Sequence, residues 1–302
     1  MMKAITERLE ERGIEYCERL PLHTVCTLRV GGVAALGIYP NTSEELSFVL
    51  SILREKSVSF EVIGRGSNLF FGDGYYSGAL IFTERMSAVS LEGDRIYAEC
   101  GVTLATLAGV AAEHSLTGME FARGIPGSLG GAVFMNAGAY GSSMEHIVVS
   151  TKAMDRNTSE VFLLTDHGFD YRKSVYMEHP EWICLGAELK LCRGEKEAIL
   201  ARMAELSKKR RETQPLEIPN AGSYFKRPEG HFAGKLIEDA GWKGKKVGGA
   251  EIAVKHAGFL VNRGGATARD VLTLESLVCE TVREKFGVTL EREVRYLPTD
   301  EG

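Results

Sequence analysis

The sequence predicts an α+β protein of more than one domain, on three observations. At 302 residues the chain exceeds what a single hydrophobic core ordinarily fills. Helical stretches with one apolar face are interspersed with short apolar runs of strand length. Breakers at Gln214-Pro215 and Ile218-Pro219 interrupt the pattern and mark a boundary.

The elements follow in order. Thr42 with Glu45 fits a capping box, and Leu46, Val49, Leu50 and Leu53 then share one helical face. Phe60–Ile63 and Ala79–Phe82 read as strands around a first glycine loop. Residues 1–83 are therefore expected to form a first subdomain. Strands at Arg95–Cys100, Val148–Met154, Glu160–Leu164 and Trp182–Leu191, with a helix at Thr103–Glu113, define a second over 84–194. Residues 195–302 form a third. It opens on an amphipathic helix, Glu195–Arg211, ending in Lys208-Lys209-Arg210-Arg211. Cations are favoured at that end of a helix, so the basic run reads as a solvated face rather than a nucleic-acid patch. The third part closes with a helix over Thr267–Lys285, stopped by Gly287, and a strand over Val288–Leu297 with Glu291, Glu293 and Arg295 on one face.

Composition excludes several classes. A net charge of -5 gives no general attraction to nucleic acid or to a membrane surface. The N-terminal stretch is charged throughout, and no run reaches the ~20 apolar residues of a membrane helix, so a cytoplasmic protein is expected. The six cysteines form no CxxC pair and the histidines no HExxH, which leaves no metal-site signature.

The most informative stretch is Gly118–Gly141, in which seven of 24 residues are glycine. Its interleaved Phe121, Ile125, Pro126, Leu129, Val133, Phe134, Met135 and Tyr140 argue against a flexible linker. Ordering so much glycine is costly, and the reading is a loop whose backbone closely approaches an anionic or planar ligand. An earlier loop, Gly64-Arg65-Gly66-Ser67-Asn68-Leu69, follows a strand. It is not a Rossmann fingerprint, because Leu69 stands where the third glycine belongs, and no Walker motif exists. Paired, the two loops suggest a dinucleotide.

Polar motifs complete the pattern: Phe169-Asp170-Tyr171-Arg172-Lys173-Ser174, Pro219-Asn220-Ala221-Gly222-Ser223-Tyr224-Phe225-Lys226 and Leu290-Glu291-Arg292-Glu293-Val294-Arg295. Taken singly, Arg172 fits a surface ion pair and Ser223 a helix cap. In this order and spacing, and together with Thr27-Leu28-Arg29-Val30-Gly31-Gly32, they resemble the UDP-N-acetylenolpyruvoylglucosamine reductase (UDP-N-acetylmuramate dehydrogenase) family over essentially the whole chain.

The resemblance implies a two-part FAD-binding module of the vanillyl-alcohol-oxidase type and a C-terminal α+β substrate-binding domain. FAD is then held noncovalently by Gly64, Arg65, Gly66, Ser67, Asn68 and Leu69, and by Gly124, Ile125, Pro126, Gly127, Ser128, Gly130, Gly131 and Ala132. No histidine lies between His23 and His114 to tether it covalently. NADPH is the co-substrate, reduced FAD gives hydride to C3 of the enolpyruvyl group, and Ser223 gives the proton to C2. Arg172 and Glu293 complete the catalytic set. Alternation alone does not separate Glu291 from Glu293; the family motif selects the glutamate before Val-Arg. The short span from Arg172 to Ser223 places the chain with the family's shorter type. Its expected substrate contacts are Asn136, Tyr140, Arg172, Lys226, Arg227 and Lys235. The expected partner is a small UDP-sugar, with no nucleic acid, membrane or obligate protein partner. Two alternatives stand beside this reading: another FAD-dependent oxidase on the same scaffold, and a nonenzymatic nucleotide-binding module.

Overall fold

The computed structural model describes residues 2–300, and the chain divides into two compact, discontinuous units. One comprises residues up to Glu18, Leu36–Arg65 and Gly78–Lys208; the other comprises Arg19–Ala35, Gly66–Ser77 and the chain from Lys209 onward. Helices and mostly antiparallel sheets are mixed in both, as the α+β expectation requires.

In the first unit, Ser43–Glu55 is a helix whose N-cap Thr42 accepts from the Glu45 amide. The reciprocal half of the expected box differs: the Glu45 carboxylate takes the amide of Asn41, one residue upstream. Leu46, Val49, Leu50 and Leu53 are fully buried on one face, each contributing about 1.5–3 kcal/mol by leaving water. The strand Phe60–Ile63 pairs in parallel with Tyr75–Phe82, which starts earlier than its apolar core suggests. A five-stranded antiparallel sheet follows, in the order Val161–Leu164, Val148–Asp155, Trp182–Lys190, Arg95–Glu99, Val89–Glu92. The helices Leu104–Glu113 and Leu129–Phe134 contribute buried side chains to the same core. The second of these helices lies inside the glycine-rich segment, which the sequence presents as loop. Two adjacent glycines, Gly130 and Gly131, mask it, because glycine weighs against helix by about 1 kcal/mol per residue.

The second unit has its own core around Leu28, Phe70, Tyr224, Phe225 and the helix Ala268–Phe286. That helix meets its expectation at both ends. Thr267 and Asp270 form a complete capping box, and Gly287 closes the helix in the left-handed region at φ 68°. A four-stranded antiparallel sheet runs Asn220–Ser223, Phe259–Asn262, Ala250–Ile252, Lys246–Val247. The expected strand Val288–Leu297 is shorter, spanning only Arg295–Leu297. The physical reason is a change of partner: Arg292 bridges Phe225, whereas Arg295–Leu297 pairs in parallel with Leu69–Phe71.

Glu251, 2% exposed, is the buried charge of this unit. Arg263 donates to one carboxylate oxygen from Nε at 2.9 Å and Nη2 at 2.7 Å, and Lys246 faces the other at 3.2 Å. Burial by itself pushes the carboxyl up, but the bonds from Arg263 and Lys246 outweigh it and hold it below its ordinary 4.5. The unfolded chain therefore binds the proton more readily, so this contribution is full above pH 4.5 and is lost as pH falls through the lower folded value. Glu251→Gln is expected to cost about 1–2 kcal/mol at neutral pH, since Arg263 and Lys246 both keep access to water. Chemical unfolding against pH should show that deficit shrinking below pH 4.5.

Candidate functional site

In the first unit, the two glycine loops come together at one hydroxyl. Ser128 occupies the N-cap position of Leu129–Phe134 yet makes no capping bond. Its Oγ is buried without a hydrogen-bond partner. A Cβ built on Gly64 falls 2.7 Å from that oxygen, and one on Gly131 falls 4.0 Å away. A buried, unspent hydroxyl bordered by side-chain-free backbone suits a polar ligand lying flat against the chain, as a dinucleotide does. This cradle fits FAD.

The expectation that the segment's amides face the ligand needs a local correction. The amides of Leu129 and Gly130 donate to the carbonyls of Val102 and Cys100, so those two are already used. A Cβ on Gly130 lies 2.9 Å from the Cys100 Cβ, so this glycine serves close packing. Ala132 is buried in the core, with Ile125 packed against it. Gly127 has φ 138° and its carbonyl accepts from Leu104. Arg65, at the end of the first unit's share of the earlier loop, pairs with Glu84 at 3.7 Å on the surface.

The rest of that loop belongs to the second unit. Gly66 takes φ 60°, and a Cβ there lies 2.0 Å from the Val25 carbonyl oxygen. Its own carbonyl accepts from Thr27. Gly66→Ala combines strain with a backbone clash, and we expect a loss of about 3 kcal/mol or more, read as a lower melting temperature. Asn68 reaches further: its Nδ2 donates to the Glu293 carbonyl at 3.3 Å, and its carbonyl accepts from Arg295 at 3.0 Å. Leu69 is buried and begins the strand paired with Arg295–Leu297.

Ser223 ends the strand Asn220–Ser223 rather than capping a helix, and it is exposed. Asn220 prepares the turn: its Oδ1 accepts from the Gly222 amide at 2.9 Å, and Gly222 takes φ 82°. One residue beyond Ser223, the Tyr224 carbonyl accepts from the Glu293 amide at 2.9 Å. Ser223 and Glu293 therefore sit on adjoining segments of one unit. Tertiary structure also separates the two acids. Glu291 is largely exposed and paired with Lys226, whereas Glu293 is half-buried. Lys235 pairs with Asp239 at 2.5 Å within its own helix, and the Arg227 guanidinium stacks 4.0 Å from the Phe232 ring centroid.

Arg172, in the first unit, lies in a tight turn closed by reciprocal bonds between Asp170 and Lys173. Its φ is 55°, uncommon for a residue with a side chain. Asn136 and Tyr140 share this conformation, at φ 40° and 57°. Two of the three segments are connected. Asn136 Nδ2 donates to the Asp170 carbonyl at 3.0 Å, and Arg172 Nη2 donates to the Gly138 carbonyl at 3.2 Å. Asn136 itself is 2% exposed, and its amide is spent on Glu145 and Asp170. Expected as a substrate contact, it also braces the Arg172 turn through the Asp170 carbonyl. Tyr140 donates its hydroxyl to the Leu206 carbonyl at 3.3 Å.

The brace roles of Asn68 and Asn136 have no local signature, because each is bonded to a carbonyl distant in sequence. A cavity of about 680 Å³ in the second unit, lined by His23, Arg29, Asp73, Asn262 and Arg269, contains none of the expected site residues. Among the described residues no three His, Cys, Asp or Glu side chains gather as metal ligands, and no helix is long and apolar enough to cross a membrane.

Glycine backbone around the spare Ser128 hydroxyl suits the class of flavin-binding proteins. Residues 34–163 match the FAD binding domain family, and residues 214–297 match the C-terminal domain of UDP-N-acetylenolpyruvoylglucosamine reductase. The chain is 42% identical to the UDP-N-acetylenolpyruvoylglucosamine reductase of Caldanaerobacter subterraneus subsp. tengcongensis, over 98% of both chains. It is 43% identical to that of Clostridium novyi, over 90% of this chain and 88% of the relative. The crystal structure of UDP-N-acetylenolpyruvylglucosamine reductase from Thermus caldophilus superposes with a TM-score of 0.79 at 34% identity, covering 94% of this chain and 99% of the other. The chain belongs to the UDP-N-acetylenolpyruvoylglucosamine reductase family.

Proposed function

We propose that this protein reduces the enolpyruvyl group of UDP-N-acetylglucosamine enolpyruvate to give UDP-N-acetylmuramate for peptidoglycan synthesis, using noncovalent FAD and NADPH. It acts in the cytoplasm on this small UDP-sugar without an obligate protein partner. The observation that supports the reading is the Glu293 amide bonded to the Tyr224 carbonyl, which joins the chain segments that bear Ser223 and Glu293. Residues 1–83 and 84–194 serve FAD, with Gly64–Leu69 and Gly124–Ala132 as its cradle, and residues 195–302 serve the substrate.

Bound FAD supplies a two-electron carrier between NADPH and the alkene. The residues deal with the charge that results. Addition at C3 places negative charge on C2 and its carboxylate, so a fixed cation aimed there lowers the barrier. Arg172 provides a planar fork suited to that carboxylate. Ser223 donates its proton to C2; a hydroxyl is a weak acid, but an enediolate is a strong base. A glutamate beside an anion must be protonated or paired, and Glu293 polarises the developing enediolate through a shared proton. Asn136, Tyr140, Lys226, Arg227 and Lys235 are the remaining contacts offered to the substrate, and Lys226 must leave Glu291 to make one.

The test is NADPH oxidation with and without UDP-N-acetylglucosamine enolpyruvate. Oxidation that depends on the sugar nucleotide is expected. Oxidation that depends on oxygen instead, or a colourless protein that takes up no FAD, overturns the reading.

A further inference from the structure

Tyr224 follows Ser223 in the chain and Arg292 precedes Glu293, and these two neighbours converge on one carboxylate. The Tyr224 ring is 1% exposed, and its hydroxyl donates to Glu275 Oε2 at 2.7 Å. Arg292 Nη1 reaches the same oxygen at 3.3 Å. Glu275 projects from the helix Ala268–Phe286, which is anchored by its capping box, by Gly287 and by the buried Val271, Leu274, Val278 and Val282. Burial, reinforced by the Glu275 charge, pushes the Tyr224 phenol up. The hydroxyl thus stays a donor throughout the neutral range.

Ser223 is exposed where Tyr224 is buried, so the tyrosine clamps one side of the segment while the serine faces the other. Arg292 carries the clamp to the adjoining segment, already tied to the first by the Glu293 amide on the Tyr224 carbonyl and the Lys226 amide on the Glu291 carbonyl. We infer that Tyr224, Glu275 and Arg292 are positioning residues, which lock the segments bearing Ser223 and Glu293 to one rigid helix and so set where proton donor and acid stand. The inference rests on the catalytic reading of Ser223 and Glu293 given above. Its leverage is geometric: a displacement of about 1 Å at a reacting group costs up to ~100-fold in rate.

The experiment compares wild type, Tyr224→Phe and Glu275→Gln as FAD-loaded full-length protein, following the two half-reactions separately by anaerobic rapid mixing. Reoxidation by UDP-N-acetylglucosamine enolpyruvate is expected to slow about tenfold or more in both variants, with a larger solvent deuterium isotope effect as protonation becomes limiting. Flavin bleaching by NADPH should stay within about twofold, and UDP-N-acetylmuramate affinity, by calorimetry, within about threefold. Reoxidation at the wild-type rate overturns the inference. So does a parallel fall of both half-reactions with the melting temperature, which a merely structural role produces. If Glu275→Gln fails to fold, Tyr224→Phe, which removes a single oxygen, decides alone. A wild type that the sugar nucleotide fails to reoxidise overturns the functional reading itself; normal wild-type reoxidation with unaffected variants overturns the positioning role alone.

Discussion

Ser223→Ala is expected to leave the flavin reducible by NADPH while the enolpyruvyl substrate no longer reoxidises it. Ser223 is exposed at the end of a short strand, where its backbone pairs with Phe259 and the Tyr224 amide donates to the Gly258 carbonyl. Deleting the hydroxyl should therefore change stability by no more than about 0.5 kcal/mol. Chemistry should suffer far more. General acid catalysis supplies about 10²–10⁴-fold, and an enediolate left without a proton at C2 can return its electrons rather than go on to product. Rapid mixing separates the two half-reactions. Bleaching at the wild-type rate followed by stalled reoxidation supports the donor role, and reoxidation at the wild-type rate removes Ser223 from it.

Arg172→Ala is the second large effect. The side chain meets charge that is largest in the transition state, so the loss should fall on kcat, by about 10²–10³-fold. The left-handed backbone at φ 55° is strained for arginine and alanine alike, and the turn keeps its Asp170–Lys173 bonds and its brace from Asn136. Arg172→Lys retains charge but loses the planar fork, and an intermediate rate is expected. Steady-state kinetics decide: a rise in KM with unchanged kcat would make Arg172 a binding residue only.

Regular elements with strong local signals were legible in the sequence. The helices Ser43–Glu55 and Ala268–Phe286 begin at Thr42 and Thr267 as their caps require, and Gly287 ends the second. Motif order carried the family as well, because Arg172, Ser223 and Glu293 lie in distinct local patterns. What failed did so for identifiable reasons. The helix Leu129–Phe134 is hidden by glycines whose value lies in packing on Cys100 and in leaving Ser128 uncovered. The C-terminal strand is cut short because its neighbour changes midway.

The sequence by itself determined the class of fold and the family, since these depend on period, caps and motif order along one chain. Only the tertiary structure decided how the motif residues are held. Glu291 and Glu293 are equivalent by alternation, yet one is bound to Lys226 at the surface and the other is half-buried with its amide on the Tyr224 carbonyl. Asn136, whose motif shows only a polar residue after a glycine run, is buried and braces the turn that carries Arg172. Tyr224, Glu275 and Arg292 lie up to 68 positions apart by residue number and meet at one carboxylate oxygen. Burial and partner choice depend on contacts between segments distant in sequence, and no local pattern encodes them.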